Sequence, residues 1–384
     1  MSSASDDAAA SAPAARRWPR HVAVGSITVA GLILATTTAG GWYYADELLL
    51  VRDEPAEYPV QVVAVTDTSI TLTGEGADHP GIMGLEWADG YARVGPDVRT
   101  TGDEVVRSLQ PFPDVPAPGT AVRMDFYAAP PDVADLAEIT GLEATTITYD
   151  GPLGRYPATF VPGSESRWVV HVHGRGGSRG EAYRLLPPVH EAGYPQLSIA
   201  YRNDDGAPAD ADGEFGLGWT ESEDLAAAID HALEAGARDV VLVGYSMGGA
   251  IVGNYLRTHG SEHVAGVVYD SPALSWPDIL AFQAAERGLP GFAGRIASTM
   301  VRLRAGIDLG AMDQVAHADR LDVPVLLAHG TNDATVPVAS SDAYAAARED
   351  LVTYLRTAAE HVQSWNVGPE RYEAAVNDFL VGLR

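Results

Sequence analysis

Between Val240 and Leu256 the chain reads VVLVGYSMGGAIVGNYL. A strand-forming run ends at Gly244, and helical apolar spacing through Ile251, Tyr255 and Leu256 begins a few residues later. Ser246 therefore stands on a sharp strand-to-helix turn, flanked by glycines that let helix and strand approach each other closely. A turn this tight leaves the serine hydroxyl in the open, where a base can take its proton. Gly244-Tyr245-Ser246-Met247-Gly248 matches G-x-S-x-G, a pattern whose meaning comes from this strand-turn-helix setting. Outside that setting, Ser246 would read as an ordinary helix N-cap.

The surrounding sequence fits such an elbow. From about Asp135, apolar strands alternate with helical stretches: ATTITYD, YPATFVP, RWVVHVHG, QLSIAYR, DVVLVG, VAGVVYD, VPVLLAHG and LVTYLRT. Ser222–Glu234 and Ala339–Glu349 are two of the intervening helices. Alternation of this kind predicts an α/β fold, a mainly parallel sheet with helices on both faces. Active groups of such sheets gather at the carboxyl ends of the strands.

A serine nucleophile needs a base and an acid to orient it. In the order serine, acid, histidine, only His361 lies beyond the acid candidate, on a loop after the strand Leu351–Arg356. Asp333, in AHGTNDATVP after the strand Val323–Ala328, precedes it by one strand and is the favoured acid. Asp270, at the end of VAGVVYD, also closes a sheet strand and is its rival. The loop His173-Gly174-Arg175-Gly176-Gly177 follows the strand Arg167–Val172 and can turn backbone N–H groups toward a developing oxyanion. The candidate donors are the N–H groups of Met247 and Arg175, with His173 as a brace for the loop. The acidic loop Asp204–Glu214 contains DADG, but its glycine falls two positions too early for an EF-hand, so it reads as a solvated acidic loop.

Together HGRGG, GYSMGG, HGTNDATVP and the C-terminal EHVQSWNVGPERYEAAVNDFL resemble the α/β-hydrolase superfamily, in its esterase and prolyl-oligopeptidase-like (dienelactone-hydrolase-like) branch. The resemblance covers about Asp135 to Arg384 and implies a mostly parallel eight-stranded sheet. It implies Ser246 as nucleophile, Asp333 as acid and His361 as base of a serine hydrolase cleaving a carboxylic ester or amide through an acyl-enzyme. It implies no metal and no organic cofactor. The roughly 75 residues before the sheet are too few for a gating β-propeller at ~40–50 residues per blade, which favours a small ester over a peptide. An acyltransferase on the same triad and a non-catalytic cell-surface binding module are the alternatives.

The N-terminal part carries separate expectations. Residues 1–21 are Ala/Ser/Asp-rich before Arg16, Arg17 and Arg20, and read as a disordered cytoplasmic tail. Residues 22–45 are 24 uncharged residues, long enough for a ~30 Å hydrocarbon core, and predict a transmembrane anchor or a cleaved signal. The arginines before the span and Asp46 and Glu47 after it would place the catalytic part outside the cytoplasm, membrane-bound or secreted. Residues 46–134 read as a stalk and a small β-rich accessory domain, with a hairpin around Thr66–Ser69. Residues 135–384 read as the catalytic domain, with a helical insertion at about 274–320. The sequence holds no cysteine, which excludes disulfides, thiolate metal sites and cysteine nucleophiles. A formal charge of −27 argues against nucleic-acid partners and anionic lipid surfaces. The partner that the resemblance implies is a small-molecule ester or acyl substrate.

Overall fold

The computed structural model describes residues 38–52 and 55–383. Two bodies of sheet follow each other along the chain. The first comprises β1 (Val60–Val65), β2 (Ser69–Gly74), β3 (Met83–Trp87), β4 (Gly90–Thr101), β5 (Glu104–Leu109) and β6 (Ala121–Asp125). These strands close into a barrel in the order β1-β2-β5-β4-β3-β6. The β1–β2 hairpin turns at Thr66, whose N–H donates to the Ser69 carbonyl at 2.8 Å. Alternate apolar residues such as Val60, Val62, Ile70, Leu72 and Leu85 fill the interior. Closure comes from β1 pairing with β6, Val60 opposite Val122, which leaves no free sheet edge. The β-rich segment expected from the sequence is thus a closed barrel.

The second body is an eight-stranded sheet. Its strands are β7 (Thr145–Gly151), β8 (Gly154–Val161), β9 (Arg167–Val172), β10 (Gln196–Ile199), β11 (Asp239–Tyr245), β12 (Val264–Asp270), β13 (Val325–Gly330) and β14 (Val352–Thr357). The order is β14-β13-β12-β11-β9-β10-β8-β7. Only β8 runs against the others, pairing antiparallel with both β7 and β10. From β9 the chain moves outward to β10 and later returns on the other side as β11, so the crevice between the ends of β9 and β11 is the topological switch point.

Strand β11 shows why the sheet lies in the middle. Every residue of its VVLV run is apolar because both faces are covered. Val240 and Leu242 point into one core, and Val241 and Val243 into the other.

The helices are α1 (38–49), α2 (Val133–Thr140), α3 (Leu186–Glu191), α4 (Glu221–Glu234), α5 (Met247–His259), α6 (Trp276–Glu286), α7 (Ala293–Ala305), α8 (Val338–Ala347), α9 (Ser364–Val367) and α10 (Pro369–Gly382). Residues of α4, α5, α6 and α7 line the first core, and those of α3 and α10 the second.

The membrane anchor is overturned. Among the described residues, no helix is long and apolar enough to cross a membrane. Residues 1–37, with the expected tail and most of the expected span, lie outside the described residues. The rest of the span opens α1, and α1 packs on the sheet domain. Ala45 and Leu49 are fully buried in its first core. A Cβ at Gly41 would stand 2.5 Å from Ile296. Arg304 lies 5.2 Å from the centre of the Trp42 ring and pairs with Asp46. An uncharged run suits a buried helix as well as a bilayer, and here its end finds a protein core. The single-pass membrane location built on that span is withdrawn with it.

Candidate active site

The elbow forms as its glycines require. A Cβ at Gly248 would lie 2.0 Å from the Val172 carbonyl oxygen, and one at Gly249 would lie 2.5 Å from Pro272 Cβ. Ser246 itself takes φ 49° and ψ −115°, a strained conformation worth about 1–3 kcal/mol that its surroundings must hold. Its N–H donates to the Asp270 carbonyl at 3.1 Å, and its own carbonyl accepts from Ala273 N–H at 2.8 Å. Gly248→Ala should therefore cost about 1–3 kcal/mol by overpacking and lower the thermal midpoint by several degrees. A midpoint equal to that of the parent chain would contradict this packing.

Three side chains from three strand ends meet above the sheet. His361 Nε2 lies 2.8 Å from Ser246 Oγ, and His361 Nδ1 lies 2.7 Å from Asp333 Oδ2. Asp333 also receives His329 Nε2 at 3.1 Å on Oδ2 and the Thr335 and Val336 N–H groups at 2.8 Å on Oδ1. Burial works against its charge, but the hydrogen bonds from His329, His361 and Val336 outweigh it and hold the carboxyl well below the usual range. His329 is a partner of Asp333 that no sequence motif marks as such. Its signal was its place at the end of β13, four residues before Asp333.

Asp270 is kept out of this group. It is fully buried at the end of β12, and neither carboxylate oxygen has a hydrogen-bond partner. The buried hydroxyl of Tyr372 faces Asp270 but lies outside good hydrogen-bond geometry. Burial pushes Asp270 up to about 6, against the pull of Arg184, the Tyr372 hydroxyl and the imidazoles of His329 and His361. Because this folded-state value lies above the unfolded one of 3.8, ionising Asp270 costs stability. The cost is absent below about pH 4, grows toward pH 6 and is complete above it. The stability of Asp270→Asn relative to the parent should thus rise by a few kcal/mol between about pH 4 and pH 7. Denaturant midpoints at the two pH values check this, and a constant difference would contradict it.

The glycine loop after β9 lies against the elbow: a Cβ at Gly174 would be 3.0 Å from Ser246 Cβ. Gly174 N–H donates to Glu181 Oε2 at 2.7 Å, and its carbonyl accepts from Tyr201 Oη at 2.8 Å. A trans peptide directs the Arg175 N–H away from this anchored carbonyl. Met247 N–H opens α5 and has no acceptor within the helix. Both nitrogens of His173 are engaged, Nδ1 with Gly174 O at 2.8 Å and Nε2 with Asp204 Oδ2 at 2.7 Å. Burial alone would lower its pKa, but Asp204 reverses this and raises it.

The acidic loop is therefore bound into the fold rather than simply solvated. Asp204 pairs with His173, Asp210 with Arg202 and Glu214 with Arg304. Beside it opens a cleft of about 780 Å³, lined by Glu47, Leu50, Arg175, Asp205 and Phe215 among others. Arg175 donates to the Glu47 carbonyl at 3.2 Å, so the last turn of α1 and the residues just after it wall the cleft.

A family model described as the α/β hydrolase fold matches residues 167–314, and one for a domain of unknown function (DUF8805) matches residues 61–125. The uncharacterized protein YqkD of Bacillus subtilis is 29% identical over 140 residues, which are 36% of this chain. The chain spans about half of that relative's length, 46%. Among solved structures, an esterase from Pyrococcus furiosus superposes with a TM-score of 0.52 at 18% identity. That match covers 64% of this chain and 93% of the esterase. By its strand order, its serine elbow and these matches, the sheet domain has the α/β-hydrolase fold.

Proposed function

We propose that this chain is a serine hydrolase that cleaves a small carboxylic ester, with Ser246 as nucleophile, His361 as base and Asp333 as acid. One observation carries the reading: His361 reaches Ser246 Oγ at 2.8 Å through one ring nitrogen and Asp333 at 2.7 Å through the other. Ser246 Oγ attacks the ester carbonyl while His361 Nε2 takes its proton. Asp333 stabilises the resulting imidazolium and keeps Nδ1 protonated. The tetrahedral oxyanion is met by the N–H groups of Met247 and Arg175. Collapse expels the alcohol, which takes the proton from His361, and leaves the acyl group on Ser246. Water, deprotonated by the same histidine, then attacks the acyl-enzyme and releases the acid. Every step uses groups of the chain and water.

The cleft beside Arg175 is lined by Glu47, Arg52, Asp204 and Asp205, charged groups that would not pack a long alkyl chain, which supports a short ester. A panel of p-nitrophenyl esters of increasing chain length, run with and without glycerol, tests the reading. Short esters should turn over fastest, and free acid should remain the main product with glycerol present. Predominant glyceride formation would instead make the chain an acyltransferase. Absence of turnover on every ester would remove the proposal.

A further inference from the structure

A polar knot joins the barrel to the loop that carries His361, and the chemistry above makes no use of it. Its centre is Asn366, fully buried, five residues after His361. The Asn366 carbonyl accepts from Ile82 N–H at 2.8 Å, and its Nδ2 donates to the carbonyls of Ile82 at 2.7 Å and Phe126 at 2.8 Å. Ile82 immediately precedes β3 and Phe126 immediately follows β6, so both are ends of barrel strands. Arg184 ties the same point from the sheet domain. Its Nη1 donates to Phe126 O at 2.6 Å and to Asn366 Oδ1 at 3.2 Å, and its Nη2 to Val362 O at 2.8 Å.

Val362, next to His361, is the residue that needs holding. Its φ of 55° is a costly conformation for a β-branched side chain, and such backbone persists only when its surroundings over-determine it. Arg184 holds its carbonyl, and Ser271 Oγ accepts from its N–H at 3.0 Å. The barrel side is equally constrained. Arg107, buried inside the barrel, donates to the carbonyls of His79 at 2.6 Å and Gly81 at 2.5 Å, which fixes the segment leading into Ile82. Gly81 presses directly on the knot: a Cβ there would stand 2.5 Å from Asn366 O.

We infer that the barrel is a brace for His361, and that Asn366 and Arg184 are positioning residues through which it sets the imidazole between Ser246 and Asp333. The inference rests on the reading of His361 as the base. It gives the barrel a part in turnover although it supplies no reacting atom. Misplacing a catalytic group by about 1 Å can cost about 10²-fold in rate, so loosening the brace should be felt in kcat.

Asn366→Ala and Gly81→Ala, made singly and together in the full chain, test it from both sides of the contact. Each should lower kcat per titrated serine about 10- to 100-fold on a short ester, with KM within about twofold. The double variant should be no slower than the worse single one, since both act through one contact. Amide exchange over residues 360–366 should be faster in both variants. A purely structural contact would lower the thermal midpoint and leave kcat per serine unchanged, which would overturn the inference, as would additive losses. If Gly81→Ala fails to fold, the kcat and KM of Asn366→Ala decide alone. If the parent chain turns over no ester, the reading of the site has failed separately. The exchange measurement still judges the brace, and unchanged exchange in Asn366→Ala would refute it.

Discussion

Ser246→Ala should lower ester turnover by about 10⁴–10⁶, with the residual rate set by the oxyanion donors and the cleft. Ser246 carries the hydroxyl placed to react on the proposed mechanism. Its Oγ is the one that His361 Nε2 faces at 2.8 Å, on a backbone whose φ of 49° holds it up from the sheet. His361→Ala should cost a similar factor, and the double variant no more than either single one, because a nucleophile without its base is an ordinary alcohol. Steady-state rates on a short ester measure this. A Ser246→Ala chain within tenfold of the parent would place the chemistry elsewhere.

The acid is the second large effect. Asp333→Asn should cost about 10⁴ in turnover, because an amide at this point favours the wrong tautomer of His361 and leaves its imidazolium uncompensated. Asp270→Asn should cost less than about tenfold. His361 Nδ1 points at Asp333 at 2.7 Å, whereas the Asp270 oxygens bond to nothing. The two carboxyls also differ in acidity: burial pushes Asp270 up to about 6, while hydrogen bonds to Asp333 outweigh burial and hold it below the usual carboxylate range. Rates of the two asparagine variants at pH 8 check the ranking, and its reversal would transfer the role to β12.

What was legible in the sequence was what local chemistry forces. The run VVLVGYSMGG announces a strand, a turn and a helix because each step depends only on neighbouring residues. The strand RWVVHVHG and the order of Asp333 and His361 after it could be read in the same way, and the structure brings those side chains to within hydrogen-bond reach of each other. Contacts between distant segments left no such trace. Barrel closure depends on Val60 meeting Val122, and no periodicity records which strand pairs with which. Strand β5, Glu104–Leu109, carries no clear strand signal because charged residues interrupt its apolar alternation. The uncharged run ending at Ala45 misled for a different reason. Hydropathy reports that a helix avoids water, and Ala45 and Leu49 avoid it inside the sheet domain's core. Asn366 and Arg184 look like surface residues in sequence, since burial of their polar atoms is affordable only with partners some 58 to 284 positions away.

On the proposed mechanism Ser246 forms a covalent intermediate with His361 as its base. Intact-mass analysis after treatment with a fluorophosphonate tests it most directly, because the reagent needs an activated serine and no knowledge of the substrate. A single adduct is expected on the parent chain, located at Ser246 by peptide mapping, and none on Ser246→Ala or His361→Ala over the same time. An adduct of equal yield on Ser246→Ala, or none on the folded parent chain, would contradict it.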